Sequence, residues 1–124
     1  MKKINDLTYQ IIGCAFKVHR ILGPGLLEST YEHCLAEEFI LLGLSFERQV
    51  GLPVTYNNRV LDVGYRVDLI VEQQIILELK SVEQIAPIHK AQLLTYMKLS
   101  GKRLGLLINF NVANLQDGIT RMIL

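Results

Sequence analysis

Apolar side chains change their spacing part-way along the chain, and this limits the fold more than any other feature of the sequence. Ile4, Leu7, Ile11, Ala15, Val18 and Leu22 recur every three or four positions, the period of one helix face. Gly23-Pro24-Gly25 stops that helix, expected over about Asn5 to Arg20, because proline cannot continue it and glycine admits turn dihedrals. A second helix is predicted from near Leu27 to Leu42, with Tyr31, Cys34, Leu35, Phe39 and Leu42 inward and Gly43 at its end. The period then shortens. Ser45 to Tyr56 is rich in β-formers, Asn57-Asn58 signals a turn, and Val60 to Val71 and Ile75 to Ser81 read as strands around Glu72-Gln73-Gln74. Pro87 opens a third helix that carries Ile88, Ala91, Leu94 and Met97 on one side and ends near Gly101. Leu104 to Asn109 is almost wholly apolar, the pattern of a buried strand, and Ile119 to Leu124 is a candidate last strand. The order is ααβββαβ with an extra strand, an α/β layered domain.

Composition sets bounds on function. The 124 residues suit one domain, and a hydrophobic half with mean hydropathy +0.27 excludes disorder. No apolar run approaches the roughly 20 residues of a membrane helix, and the N-terminus has no signal-peptide core, so a cytoplasmic protein is expected. Cys14 and Cys34 lie among apolar neighbours and read as free thiols of a reducing compartment. Three histidines with no Cys-x-x-Cys spacing give a zinc site no support. A net charge of +1 excludes a polybasic coat for nucleic acid. The charge is uneven, however. Residues 1–83 carry eight basic and eleven acidic side chains, and residues 84–124 carry five basic and one acidic, balances of −3 and +4.

The hairpin concentrates the chemistry. If Glu72 to Gln74 form a three-residue loop, Val71 pairs with Ile75, Leu69 faces Leu77, and Val67 faces Leu79 on one side of the sheet. On the other side Asp68 lies across from Glu78, with Lys80 two residues on and Arg66 across from it. Two carboxylates so placed repel each other unless a cation sits between them. A divalent ion with oxygen ligands fills that role, since Mg²⁺ takes one or two carboxylates plus water and phosphate oxygens. Lys80 beside it can orient a water or stabilise charge on a phosphodiester. A solvated, charged sheet face would show the same Asp…Glu-x-Lys pattern, so its neighbours matter. His89, Gln92 and Tyr96 share one face of the third helix, and Glu28 and Tyr31 one face of the second.

Gly25-Leu26-Leu27-Glu28-Ser29-Thr30-Tyr31 resembles the GxxExxY signature of a group of small prokaryotic proteins in the PD-(D/E)XK nuclease superfamily. The resemblance continues through Val18-His19-Arg20, Arg66-Val67-Asp68, Glu78-Leu79-Lys80, Gln92 with Tyr96, and Gly105 to Phe110. It implies a restriction-endonuclease-like αβββαβ core, with a mixed central sheet flanked by helices and an extra N-terminal helix. It also implies Asp68, Glu78 and Lys80 as catalytic residues, and Mg²⁺ or Mn²⁺ held by Asp68, Glu78, Glu28 and the backbone carbonyl of Leu79. Gln92 and Tyr96 match a Gln-x-x-x-Tyr element that contacts DNA or orders the site. His89, Tyr31 and His19 are placed near the site as substrate-binding or site-ordering residues. Val67 stands where the superfamily's name has proline, and the chain carries little beyond the core, with no evident DNA-recognition domain.

Two functions are expected. The first is a divalent-metal-dependent nuclease with DNA as partner. The second is a nuclease-fold binding or assembly module that does not cut, which near-neutral charge and a high apolar fraction would suit. A homodimer is compatible with both.

Overall fold

The computed structural model describes residues 3–124. Helices α1 (Ile4–Leu22) and α2 (Glu28–Leu41) precede strands β1 (Phe46–Tyr56), β2 (Arg59–Val71) and β3 (Ile75–Lys80). Helix α3 (Pro87–Ser100), strand β4 (Leu104–Asn109), a 3₁₀ turn (Leu115–Gly118) and strand β5 (Ile119–Ile123) complete the chain. The five strands lie side by side in chain order. Among the described residues only β3 and β4 run parallel, with Leu77 opposite Leu106, and α3 supplies the crossover that a parallel pair requires. This is the restriction-endonuclease-like α/β architecture expected, with a mixed sheet flanked by helices.

The sheet is covered on both faces. Leu7, Ile11 and Val18 of α1 and Tyr31, Leu35 and Phe39 of α2 pack on Leu69, Leu77, Leu106 and Ile108. Leu93 and Met97 of α3 pack on Ile70, Ile76 and Leu107 from the other side. Double coverage is why β4 reads as a continuous apolar run: all six of its residues are buried. At Gly105 the helix comes so close that an added Cβ would lie 2.8 Å from Met97 Sδ and 3.0 Å from Leu93 Cδ1.

Three expectations about facing are corrected. Leu42 is exposed, because α2 ends at Leu41 before another inward position is reached. In α3, Ile88 and Ala91 face outward and the buried stripe is Leu93 with Met97. The helix holds two apolar stripes at helical spacing, and the one that also carries His89 and Tyr96 is turned toward the sheet. Val67 does not join Leu69 and Leu79 on the α1–α2 face; it packs with Ile70, Ile76 and Leu93 under α3.

Val67 marks a local change of face in the β1–β2 ribbon. Rungs Arg48–Leu69 and Val50–Val67 flank Gln49 and Asp68, and Gln49 has φ 51°, a left-handed conformation rare for a non-glycine residue. On one side of this rung Phe46, Leu69 and Val71 belong to the α1–α2 core. On the other side Val50, Leu52 and Val67 belong to the α3 core. Beyond it the ribbon projects past the sheet. No residue from 53 to 66 is buried, and the tip turns through Asn57 and Asn58 at φ 51° and 61°, the hairpin-turn chemistry of two left-handed residues.

Candidate active site

The site forms where the β2–β3 ladder opens. Main-chain pairing between these strands runs from Val71–Ile75 to Leu69–Leu77. At the next rung, side chains take over. Leu79 N–H donates to Asp68 Oδ2 at 2.8 Å, and Asp68 N–H donates to Glu78 Oε1 at 3.1 Å. Each N–H keeps a partner while the strands part, so the opening leaves no unsatisfied donor at either position.

Both carboxyls are largely withdrawn from water. Burial pushes the Glu78 carboxyl up to about 8, helped by the charge of Asp68, while the Asp68 N–H and Lys80 pull it back. Burial also raises Asp68; the Leu79 N–H, the Gln49 amide and Lys80 oppose the rise. Lys80, half-buried at the end of β3, acts electrostatically on both carboxyls. Tyr96 projects from α3 toward the same pair. Burial is the largest cause of its raised pKa, followed by Glu78, then Tyr65 and Asp68. Its ring centroid lies 6.0 Å from that of Tyr65 on the emerging ribbon.

Helix α2 delivers two more carboxylates. Glu28 Oε2 accepts the Ser81 N–H at 3.2 Å, and its charge contributes to the rise at Glu78. One turn on, Glu32 is buried and accepts from Arg48 Nε at 3.0 Å and from Arg48 Nη2 at 2.8 Å. Gln49 Nε2 donates to Glu32 Oε1 at 2.6 Å and to Asp68 Oδ1 at 3.3 Å. Sequence reasoning missed Glu32, Arg48 and Gln49. The available signal was Glu32 itself, four residues after Glu28 and one after the buried Tyr31, an acidic position that has to be paired if the helix packs there.

The other residues predicted for the site have different surroundings. Gln92 is exposed one turn before Tyr96 and makes no hydrogen bond to the carboxyls among the described residues. His89 Nδ1 accepts the Ala86 N–H at 3.0 Å and so caps α3. Tyr31 is fully buried; its hydroxyl donates to the Gly23 carbonyl at 2.6 Å, accepts from Leu26 N–H at 3.2 Å, and its ring stacks 4.3 Å from Phe110. His19 Nε2 lies 2.8 Å from the Val112 carbonyl oxygen, and its ring is near Phe110. These three rings thus engage backbone groups of turns and helix ends. Both cysteines are free, and burial pushes the Cys14 thiol up to about 11, which keeps it protonated.

The donor set bears on the expected ion. Among the described residues no group of three or more His, Cys, Asp or Glu side chains is gathered as a metal-holding cluster. Asp68 and Glu78 form a two-carboxylate set, pushed together and each raised in pKa, which is an environment a divalent cation would relieve. The residues present fit an ion held by few protein ligands. No described helix is long and apolar enough to cross a membrane.

Two carboxyls and a lysine thus meet where the β2–β3 ladder of a mixed sheet opens. Comparison with protein families matches residues 5–122 to the PD-(D/E)XK nuclease superfamily, and the chain belongs to it. No curated protein and no solved structure matches the chain.

Proposed function

We propose that this protein is a divalent-metal-dependent nuclease that hydrolyses phosphodiester bonds in DNA, of the GxxExxY group within its superfamily. The observation that carries the reading is the Asp68–Glu78 carboxyl pair beside Lys80, in a chain of a nuclease superfamily. Asp68 and Glu78 would hold Mg²⁺ or Mn²⁺, with the Leu79 carbonyl directly after Glu78 in sequence and Glu28 within electrostatic reach of Glu78. When bound, such an ion supplies Lewis acidity toward the phosphate and eases deprotonation of a coordinated water.

The chain's own residues do the rest. The Leu79 N–H fixes one oxygen of Asp68 and leaves the other turned toward Gln49. Lys80, the cation beside the pair, stabilises the charge that builds on the phosphoryl oxygens or orients the attacking water. Tyr96 is a hydroxyl donor directed at the same place from α3, and its raised pKa keeps it protonated at neutral pH. The excess of basic residues after residue 84 gives α3 and the C-terminal segment a positive character suited to a phosphate backbone.

The test is cleavage of single- and double-stranded DNA by pure protein with and without Mg²⁺ or Mn²⁺. Asp68→Ala and Lys80→Ala are expected to lose at least a hundredfold in rate. Metal-dependent cleavage that survives both substitutions would overturn the assignment. Metal binding without cleavage would instead identify a binding module.

A further inference from the structure

We infer that Gln49 is a positioning residue of this site: its side-chain amide spans the Glu32 and Asp68 carboxylates and fixes Asp68 in the orientation that meets the Leu79 N–H. Three observations carry this. The first is connectivity. One amide nitrogen donates at 2.6 Å to buried Glu32 and at 3.3 Å to Asp68, and carboxylates only accept, so the amide orientation is settled by its partners. The second is anchoring. Glu32 is held by two guanidinium donors of Arg48, the residue immediately before Gln49, so the far end of the bridge is rigid. The third is backbone conformation. Gln49 sits mid-strand at φ 51°, and a non-glycine residue stays there only when its surroundings over-determine it.

The chain Arg48–Glu32–Gln49–Asp68 therefore resembles the outer hydrogen bonds that orient ligating carboxylates in metal sites. It also explains the change of face. Turning Gln49 out of the regular pleat aims its side chain along the sheet toward Asp68, and the strand beyond emerges with Val50 and Leu52 on the α3 side. The consequence for metal binding rests on the nuclease reading above; the positioning of Asp68 does not.

Two substitutions separate reach from backbone. Gln49→Asn suits a positive φ but is one methylene shorter, and Gln49→Met keeps the length without a donor. Amide hydrogen exchange followed by NMR in metal-free buffer is the first readout. We expect the Leu79 amide to exchange about tenfold faster in both variants while the Ile76 and Leu107 amides keep wild-type rates. Unchanged Leu79 exchange in both variants would overturn the inference, and Gln49→Asn keeps the test open if Gln49→Met folds poorly. Calorimetric titration with Mn²⁺ is the second readout, with binding about tenfold weaker in each variant. Wild-type affinity in both would overturn any bearing on the metal. A wild type that neither binds Mn²⁺ nor cuts DNA would overturn the nuclease reading, and the exchange rates would still decide the role of Gln49.

Discussion

The Asp68 N–H donates to Glu78 Oε1 at 3.1 Å, so one site carboxyl is held by the main chain of the residue that carries the other. The two groups cannot move apart to relax their repulsion without losing this bond and the one from Leu79 to Asp68. Their electrostatic conflict is built into the strand pair.

That conflict has a pH signature. The Glu78 carboxyl lies near 8 in the folded protein against an ordinary 4.5, so the native state holds a proton that the unfolded chain gives up. Stability is then fully present below about pH 4.5 as far as this group is concerned, and is lost as pH rises toward 8. Urea unfolding in metal-free buffer should show a decline on the order of 2 kcal/mol between about pH 5.5 and 8.5. Glu78→Gln should flatten that decline and be more stable than wild type at the alkaline end of the range.

Divalent cations should reverse the loss. At about pH 8, Mg²⁺ or Mn²⁺ at a hundredfold excess over its dissociation constant adds about 2.7 kcal/mol through binding to the native state alone. Thermal unfolding with and without the ion measures this. Asp68→Asn should abolish the gain, and an equal gain in that variant would place the ion elsewhere.

Tyr31→Phe removes one hydroxyl that serves both the Gly23 carbonyl and the Leu26 N–H. Two backbone groups of the turn before α2 lose their partner, and the expected cost is about 1 to 2 kcal/mol by urea unfolding. A change below a few tenths would show that water replaces the hydroxyl freely.

Gly105→Ala tests how closely α3 rests on the sheet. The new methyl would meet Met97 Sδ at 2.8 Å and Leu93 Cδ1 at 3.0 Å, so both must shift. Overpacking of this kind costs about 1 to 3 kcal/mol. Gly105→Ala should cost less when introduced into Met97→Ala than into wild type, because the smaller side chain vacates the contact.

Much of this was legible in residue patterns. The change from helical to strand spacing gave the element order, and the three-residue loop Glu72 to Gln74 gave the pairing Val71–Ile75 and with it the Asp68–Glu78 juxtaposition. Local apolar alternation could not reveal where that alternation breaks. Val67 and Leu69 are both apolar and suit either face, and they part into two cores at the rung where side-chain bonds replace backbone pairing. Gln49 gave no sign because its conformation depends on Glu32, seventeen positions earlier. In α3 two apolar stripes compete, and packing on Ile70, Ile76 and Leu107, with the close approach at Gly105, selects Leu93 and Met97. Tyr31, His19 and His89 carry chemically versatile groups that turn and helix-end geometry employs for backbone bonds.

The projecting ribbon from 53 to 66 contributes no buried side chain, yet it leaves the sheet right beside Asp68 and bears Tyr65 next to Tyr96. Its length and sequence can therefore vary without altering either core. The fold thus separates the fixed Asp68–Glu78 pair from an exchangeable arm, and a different arm grafted beyond Leu52 would change what surrounds that pair and leave the two cores as they are.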